Sequence, residues 1–168
     1  MAKSGRPRKH DPQADEICRL IDSDSSDQAI EAIRKTSLEL PDGDARTPLI
    51  NAAIAGNLPV IRWLLESGAD ANAQDRNGFT ALHFAVQEKH AQVIRLLLDH
   101  GIDVTLKDSY GNAPLWRAVF DARGDYEIVR MLLPHGADPL AKNDSDRSPM
   151  DFAETIGDED LKALLASI

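Results

Sequence analysis

Residues 80–85 read "TALHFA", and variants of this phrase recur along a chain of 168 residues. The variants are "TPLINA" at 47–52, "APLWRA" at 113–118 and "SPMDFA" at 148–153. Their third residues, Leu49, Leu82, Leu115 and Met150, are separated by 33, 33 and 35 residues. A spacing this regular predicts a structure built from stacked copies of one unit.

Two further phrases keep the same spacing. An apolar run reads "VIRWLLE" at 60–66, "VIRLLLD" at 93–99 and "IVRMLLP" at 128–134, and a glycine-containing segment follows it as "SGADANAQ", "HGIDVTLK" and "HGADPLAK". Each unit is therefore expected to form two short helices and a turn. Helix pairs this short are marginal alone, so several units must stack to share one core.

The ends of the helices also have sequence signals. Thr47 and Ser148 are suited to cap the first helix of their units, each with proline in the first helical position. Ala113 replaces this hydroxyl in one unit, where a cost of about 1 kcal/mol is expected. Gly56, Gly124 and Gly157 suit the left-handed residue that ends these helices, whereas Lys89 at the same place has no evident reason.

The spacing, the T-P-L-H-x-A phrase and the G-A-D turn together resemble the ankyrin repeat family over residues 42–168. The resemblance implies an all-α solenoid of stacked helix-turn-helix units joined by hairpin-like turns. It also implies that His83, in the T-P-L-H position, forms hydrogen bonds between repeats. In this family, partners usually bind the turn tips and the exposed side of the first helices, on the concave face.

The chain divides into a tail and one repeat domain. Residues 1–10 form a basic tail that we expect to be disordered, and 11–168 form the single domain. Within it, 11–41 is a degenerate N-terminal capping repeat, with Ser25 and Gln28 at capping-box spacing. The three full repeats are 42–74 (repeat 1), 75–107 (repeat 2) and 108–142 (repeat 3), and a C-terminal capping repeat occupies 143–168.

The charge of the domain is informative about partners. The chain has a net charge of −9, and the four basic residues of the tail stand apart from a body, residues 11–168, with 15 basic and 28 acidic side chains. A net −13 disfavours nucleic acid as a partner of the folded body, because phosphate would be repelled. It favours a basic protein surface, although acidity that serves only solubility remains an equal alternative.

The sequence offers no catalytic constellation, and we expect neither enzymatic activity nor a metal or cofactor. No two histidines have helical metal-ligand spacing, and Cys18 is the single cysteine, expected to be a buried structural thiol. His100 and His135 are suited to satisfy helix-end carbonyls, whereas His10 and His90 are expected to be exposed. No apolar run reaches 18 residues, so we expect a cytoplasmic protein that does not enter membranes and is monomeric when free.

A partner-binding surface is predicted across repeats 2 and 3. Phe79, Tyr110 and Phe120 are three of the eight aromatic residues, and all fall at positions expected to be exposed. The alternative is that they pack against neighbouring loops, and Trp116 is equally compatible with exposure or with a place between repeats. Trp63 lies in the apolar run of repeat 1 and is expected in the core. Repeat 3 is two residues longer, with Ala122 and Arg123 as the extra pair. The predicted partner-binding residues are Phe79, Glu88, Tyr110, Trp116, Phe120, Asp121, Arg123 and Asp125.

Three functions fit these observations. The first is a non-catalytic module that binds a basic protein through its concave face, with an inhibitor or immunity protein as the sharper version. The second is a scaffold or regulatory adaptor. The third is a DNA-associated regulator that uses the "GRPRK" segment of the tail in a minor groove. A tail without function is the alternative to the third.

Overall fold

The computed structural model describes residues 11–23 and 25–167, which form ten α-helices, one 3₁₀ helix and no strand. The predicted disordered tail and His10 lie outside the described residues. The elements are α1 (Pro12–Asp22), α2 (Ser26–Arg34), α3 (Pro48–Ala55), α4 (Leu58–Glu66), α5 (Ala81–Gln87), α6 (Ala91–Asp99), α7 (Pro114–Phe120), α8 (Glu127–Leu132), the 3₁₀ helix Leu133–His135, α9 (Pro149–Ile156) and α10 (Glu159–Leu165).

The helices pack as consecutive pairs in two rows. Each odd-numbered helix packs against the even-numbered helix that follows it. Helices α1, α3, α5, α7 and α9 form one row of neighbours, and α2, α4, α6 and α8 form the second. This arrangement confirms the predicted all-α repeat solenoid.

The core runs the length of the stack. Leu64, Leu97, Leu132 and Leu165 occupy equivalent positions in successive even-numbered helices, and each is at most 2% exposed. Leu49, Leu82 and Leu115 do the same in the odd-numbered row. One cluster of buried residues extends from Ile17 to Leu165. Each such leucine contributes roughly 1.5–3 kcal/mol through burial, so the regular leucines hold the repeats together.

The first helices of the repeats are capped as their sequences predict. The Thr47 hydroxyl accepts from the Ile50 amide, and Thr80 and Ser148 each form a reciprocal capping box, with His83 and Asp151 respectively. Ala113 has the same extended backbone, with φ −80° and ψ 163°, but no capping side chain. The third repeat therefore keeps the geometry of a cap without its hydrogen bond.

A left-handed residue lies in the link between the two helices of repeats 1, 2 and 3 and of the C-terminal capping repeat. Gly56, Gly124 and Gly157 have φ values of 71°, 89° and 68°, and Lys89 takes the same conformation with φ 58°. The structure gives a partial reason for lysine here, because Lys89 Nζ donates to the Asp121 carbonyl of the next repeat at 3.3 Å. That contact offsets some of the cost of a left-handed side chain.

The two extra residues of repeat 3 differ in burial. Helix α7 ends at Phe120, four residues before Gly124. Ala122 is 5% exposed, whereas Arg123 is exposed and left-handed, with φ 43°. Of the two extra residues, only Arg123 is therefore available at the surface.

Two predictions about apolar and capping residues were wrong. Ser25 forms no capping hydrogen bond, and its hydroxyl accepts from the Ser23 hydroxyl. Trp63 was expected in the core but is half-buried, since its ring lies at the surface beneath the guanidinium of Arg34, 5.3 Å from the ring centroid.

Two predictions about ionisable side chains also need correction. His90 is partly buried rather than exposed, because its Nε2 lies 3.1 Å from the Ile54 carbonyl oxygen and its ring lies against Gly56. Cys18 is half-buried rather than buried, and its sulfur accepts from Asn51 Nδ2 at 3.2 Å. Burial, aided by Asp42, raises the pKa of Cys18 to about 11, so the thiol stays protonated at neutral pH.

The missing cap in repeat 3 gives a direct test. Ala113→Thr places a hydroxyl where the backbone already has capping geometry, and we expect it to raise the free energy of unfolding by about 1 kcal/mol. Urea titration followed by circular dichroism measures the change. Ala113→Val is the control, since it has the same shape without the hydroxyl. An equal gain from valine would mean that burial, not capping, is responsible.

Candidate functional site

The turns between repeats are held by one side chain each. Asp42, Asp75, Asp108 and Asn143 begin successive turns, and Oδ1 of each accepts from the backbone amides two and four residues later. Backbone bonds then join neighbouring turns, including Ser109 N–H to the Asn77 carbonyl and Asp144 N–H to the Tyr110 carbonyl. The turns form an ordered row that fixes the position of Tyr110.

His83 joins repeat 2 to repeat 3, as the resemblance implies. Its Nδ1 accepts from the Thr80 backbone amide at 3.1 Å, so we assign the proton to Nε2, which donates to the Asn112 carbonyl at 3.1 Å. The side chain is buried. Burial lowers the pKa of His83 from its ordinary value of 6.5, which keeps the ring neutral.

A concave pocket of about 300 Å³ lies between the turns and first helices of repeats 2 and 3. Four of the eight predicted partner-binding residues line it, namely Phe79, Tyr110, Trp116 and Phe120. We call this cavity the aromatic pocket. Its remaining lining comes from His83, Gln87, Asp108, Asn112, Ala113 and Arg117.

The four aromatic side chains differ in exposure. Tyr110 is 66% exposed and Phe120 51%, as predicted. Phe79 is less exposed than these two, because its ring packs against His83 and Phe84, with 5.4 Å between the ring centroids in each case. Trp116 is also half-buried, with its ring edge towards Phe152 at 6.0 Å. Tyr110 and Phe120 are therefore the side chains that a partner could cover at least cost to the fold.

Phe152 supports the pocket from the C-terminal repeat, and sequence reasoning missed it. Its ring lies 5.3 Å from Phe120 and 6.0 Å from Trp116. The signal was present in "SPMDFA", where Phe152 stands in the same register as Phe84 and Arg117. Comparing that register across repeats would have placed it beside the predicted aromatics.

The predicted charged residues do not all join the aromatic ones. Asp121 and Asp125 line a separate cavity of about 70 Å³ with Lys89. Asp121 is also bonded to Arg117, whose side chain reaches the aromatic pocket. Glu88 and Arg123 are exposed but line neither cavity. Asp121 is thus the one predicted acid that is tied to the aromatic pocket.

The other candidate ligands of the chain have structural partners. His100 and His135 place Nδ1 within 2.8 and 2.9 Å of the Leu96 and Met131 carbonyl oxygens. Asp103 accepts from Thr105 in an exposed turn, which lowers the pKa of its carboxyl. Among the described residues no three His, Cys, Asp or Glu side chains are placed to hold a metal ion. Within that part of the chain no helix has the length and apolarity to cross a membrane.

Comparison with known proteins decides the family. A model of ankyrin repeats in three copies matches residues 17–108 and 49–143. The chain belongs to the ankyrin repeat family. Ankyrin repeats are protein–protein interaction modules, so the coarse function of this chain is to bind a protein. They are generally not catalytic.

Similar ankyrin repeats occur in proteins of diverse function. The chain is 47% identical over 51 residues to potassium channel AKT3 of Oryza sativa, which covers 30% of this chain and 6% of the channel. It is 32% identical over 77 residues to the apicidin F cluster transcription factor apf2 of Gibberella fujikuroi, covering 46% and 18%. It is 40% identical over 57 residues to ankyrin repeat and SAM domain-containing protein 6 of Rattus norvegicus, covering 33% and 6%. The chain thus spans less than a fifth of each relative.

The buried neutral His83 predicts a pH-dependent stability. Because its folded pKa is lowered, the unfolded chain takes up the proton first as the pH falls below about 6.5. The contribution of His83 is therefore complete above that pH and is lost as the pH falls towards the folded pKa. As the pH falls, the free energy of unfolding should decrease for the wild type more steeply than for His83→Gln. We expect the difference between the two slopes to be up to about 1.4 kcal/mol per pH unit. Urea titrations at about pH 7.5 and about pH 5.5 test this. Equal slopes for the two proteins would contradict it.

Proposed function

We propose that this protein binds a basic protein partner through the aromatic pocket, on the side of the stack formed by the turns and the odd-numbered helices. The observation that carries the proposal is the convergence of Phe79, Tyr110, Trp116 and Phe120 on one concave cavity. Aromatic side chains dominate the binding energy of many interfaces. A cluster of exposed apolar side chains on a soluble protein often marks an interaction site.

The rigidity of the surroundings supports docking at this place. Tyr110 stands on a turn bonded to its neighbours on both sides, and Phe120 is braced by Phe152. A surface that is ordered before binding loses less conformational entropy when a partner arrives. This favours a partner segment that fits an existing shape over one that remodels the repeats.

The acidity of the body supports a basic partner. Its net charge of −13 would attract a positively charged surface and speed the encounter. If the partner's own basic functional surface is the part that is covered, the protein acts as an inhibitor, of which an immunity protein is one kind. If the partner stays active in the complex, the protein acts as an adaptor.

Capture from a lysate of the organism that carries the gene tests the docking surface. Wild type is compared with Tyr110→Ala/Phe120→Ala, which removes the two exposed aromatic side chains. We expect the partner band to fall by at least about tenfold, because losing one or two such anchors costs more than 1.4 kcal/mol. An activity assay of the captured partner, with and without the protein, then separates inhibitor from adaptor.

The chain contains a matched control for this experiment. Leu140 and Ile156 are 66% and 52% exposed, almost the same as Tyr110 and Phe120, but they do not line the aromatic pocket. Leu140→Ala/Ile156→Ala should capture the partner as wild type does, and melting curves should show that both double variants remain folded. Equal loss in both variants, or no loss in either, would contradict the proposed surface.

A further inference from the structure

One carboxylate in the aromatic pocket differs from its equivalents in the other turns. The other polar side-chain atom of the turn residue, Oδ2 of aspartate or Nδ2 of asparagine, has a hydrogen-bond or ion-pair partner in three of the four turns. Asp42 Oδ2 accepts from Asn51 Nδ2, and Asn143 Nδ2 donates to Asn112 Oδ1. Asp75 Oδ2 forms no hydrogen bond, but it lies 3.7 Å from Arg46 Nε and pairs with that cation.

In Asp108 the corresponding atom has no such partner. Oδ1 accepts from the Tyr110 and Asn112 amides at 2.8 and 2.9 Å. Within residues 11–23 and 25–167, no hydrogen bond or ion pair reaches Oδ2. The side chain is half-buried and lines the aromatic pocket, and Phe79 occupies the position that Arg46 holds one repeat earlier. Asp108 therefore presents a negative charge to the cavity, and no cation of the described residues forms an ion pair with it.

The preceding repeat shows what the fold does at the equivalent place. Arg46 lies beside the buried carboxylate of Asp75 and stacks over the ring of Phe84, 5.0 Å from its centroid. A guanidinium between a turn carboxylate and an aromatic face is thus already part of this molecule. One repeat further on, the equivalent positions hold Phe79, Asp108 and Arg117, so the ring and the guanidinium have exchanged places. Arg117 pairs with Asp121, and the Asp108 carboxylate faces the aromatic pocket without a guanidinium bonded to it.

We infer that the aromatic pocket binds an arginine side chain of the partner, held between Asp108 Oδ2 and the aromatic rings. This inference rests on the proposed function and names the chemistry of its partner. Arginine fits better than lysine because its planar group stacks on aromatic faces while it donates to a carboxylate.

The one cation in the lining does not occupy this role. Arg117 is bonded to the Asp121 carboxylate, which also lies beside Lys89 in the neighbouring cavity. Because Arg117 is paired with Asp121, the Asp108 carboxylate is the charge of the lining that is left unpaired. A pocket with that charge and a volume of about 300 Å³ has room for one long cationic side chain.

Peptide titration followed by ¹⁵N NMR tests the inference directly. The probe is acetyl-Gly-Ala-Arg-Ala-Gly-amide, and its control contains citrulline, which keeps the planar shape but has no charge. We expect the arginine peptide to shift the Trp116 indole signal and the amide signals of Tyr110 and Asn112 with a Kd of about 1 mM. The citrulline peptide should bind at least about tenfold more weakly.

Two variants of equal charge locate the site. Asp108→Asn should weaken the arginine peptide by about tenfold, and it should fold, because Asn143 already serves the same turn position in this chain. Asp103→Asn removes an exposed turn carboxylate away from the pocket and should bind as wild type does. Equal binding of the citrulline peptide, no shift with the arginine peptide, or full binding by Asp108→Asn would overturn the inference.

The capture experiment can tell a failure of the arginine inference from a failure of the proposed docking surface. If the captured partner is lost with Tyr110→Ala/Phe120→Ala but retained in full by Asp108→Asn, the docking surface stands and the arginine is wrong. If the partner is retained by both variants, the docking surface itself is wrong.

Discussion

The burial of each helix pair against the next is the interaction on which this structure depends. No pair of helices of six to eleven residues encloses its own apolar side chains. The leucines at one position of α4, α6, α8 and α10 are buried only because another repeat lies against them. The turns, the caps and the pocket are all consequences of the register that this packing imposes, since each residue faces its equivalent in the next repeat.

Much of the fold could be predicted because its signals are local and repeated. The spacing of Leu49, Leu82 and Leu115 gave the number of repeats, and Thr47 and Ser148 gave the helix starts. The capping box expected at Ser25 does not form, since the spacing of Ser25 and Gln28 does not show which hydrogen bond the Ser25 hydroxyl makes, and it accepts from Ser23. Trp63 was misplaced because apolar periodicity does not show whether a large ring lies under a neighbour or at the rim of the core.

The candidate site was predictable only where repeats could be compared position by position. That comparison brought out Phe79, Tyr110 and Phe120, and the structure places them with Trp116 in one cavity. It could not show that Glu88 and Arg123 line neither cavity, because equivalent positions in a sequence do not show which surface a side chain reaches. Nor could it show that Asp108 Oδ2 has no hydrogen-bond or ion-pair partner among the described residues, since the sequence has the same aspartate in "QDRNG" (Asp75) and in "KDSYG" (Asp108). Only the neighbour, Arg46 in one case and Phe79 in the other, makes the two aspartates different.

The uncapped start of α7 has a consequence for how the stack comes apart. In a linear array each repeat contacts only its neighbours, so separation begins where the sum of local terms is smallest. Repeat 3 has no side-chain cap, and its left-handed Arg123 interrupts the link between its two helices. Transient opening should therefore divide the chain near this repeat and expose its amides to exchange before those of repeat 2. A partner bound to Tyr110 and Phe120 would stabilise repeat 3 against this opening. Partner binding and the resistance of the stack to separation are therefore coupled at repeat 3.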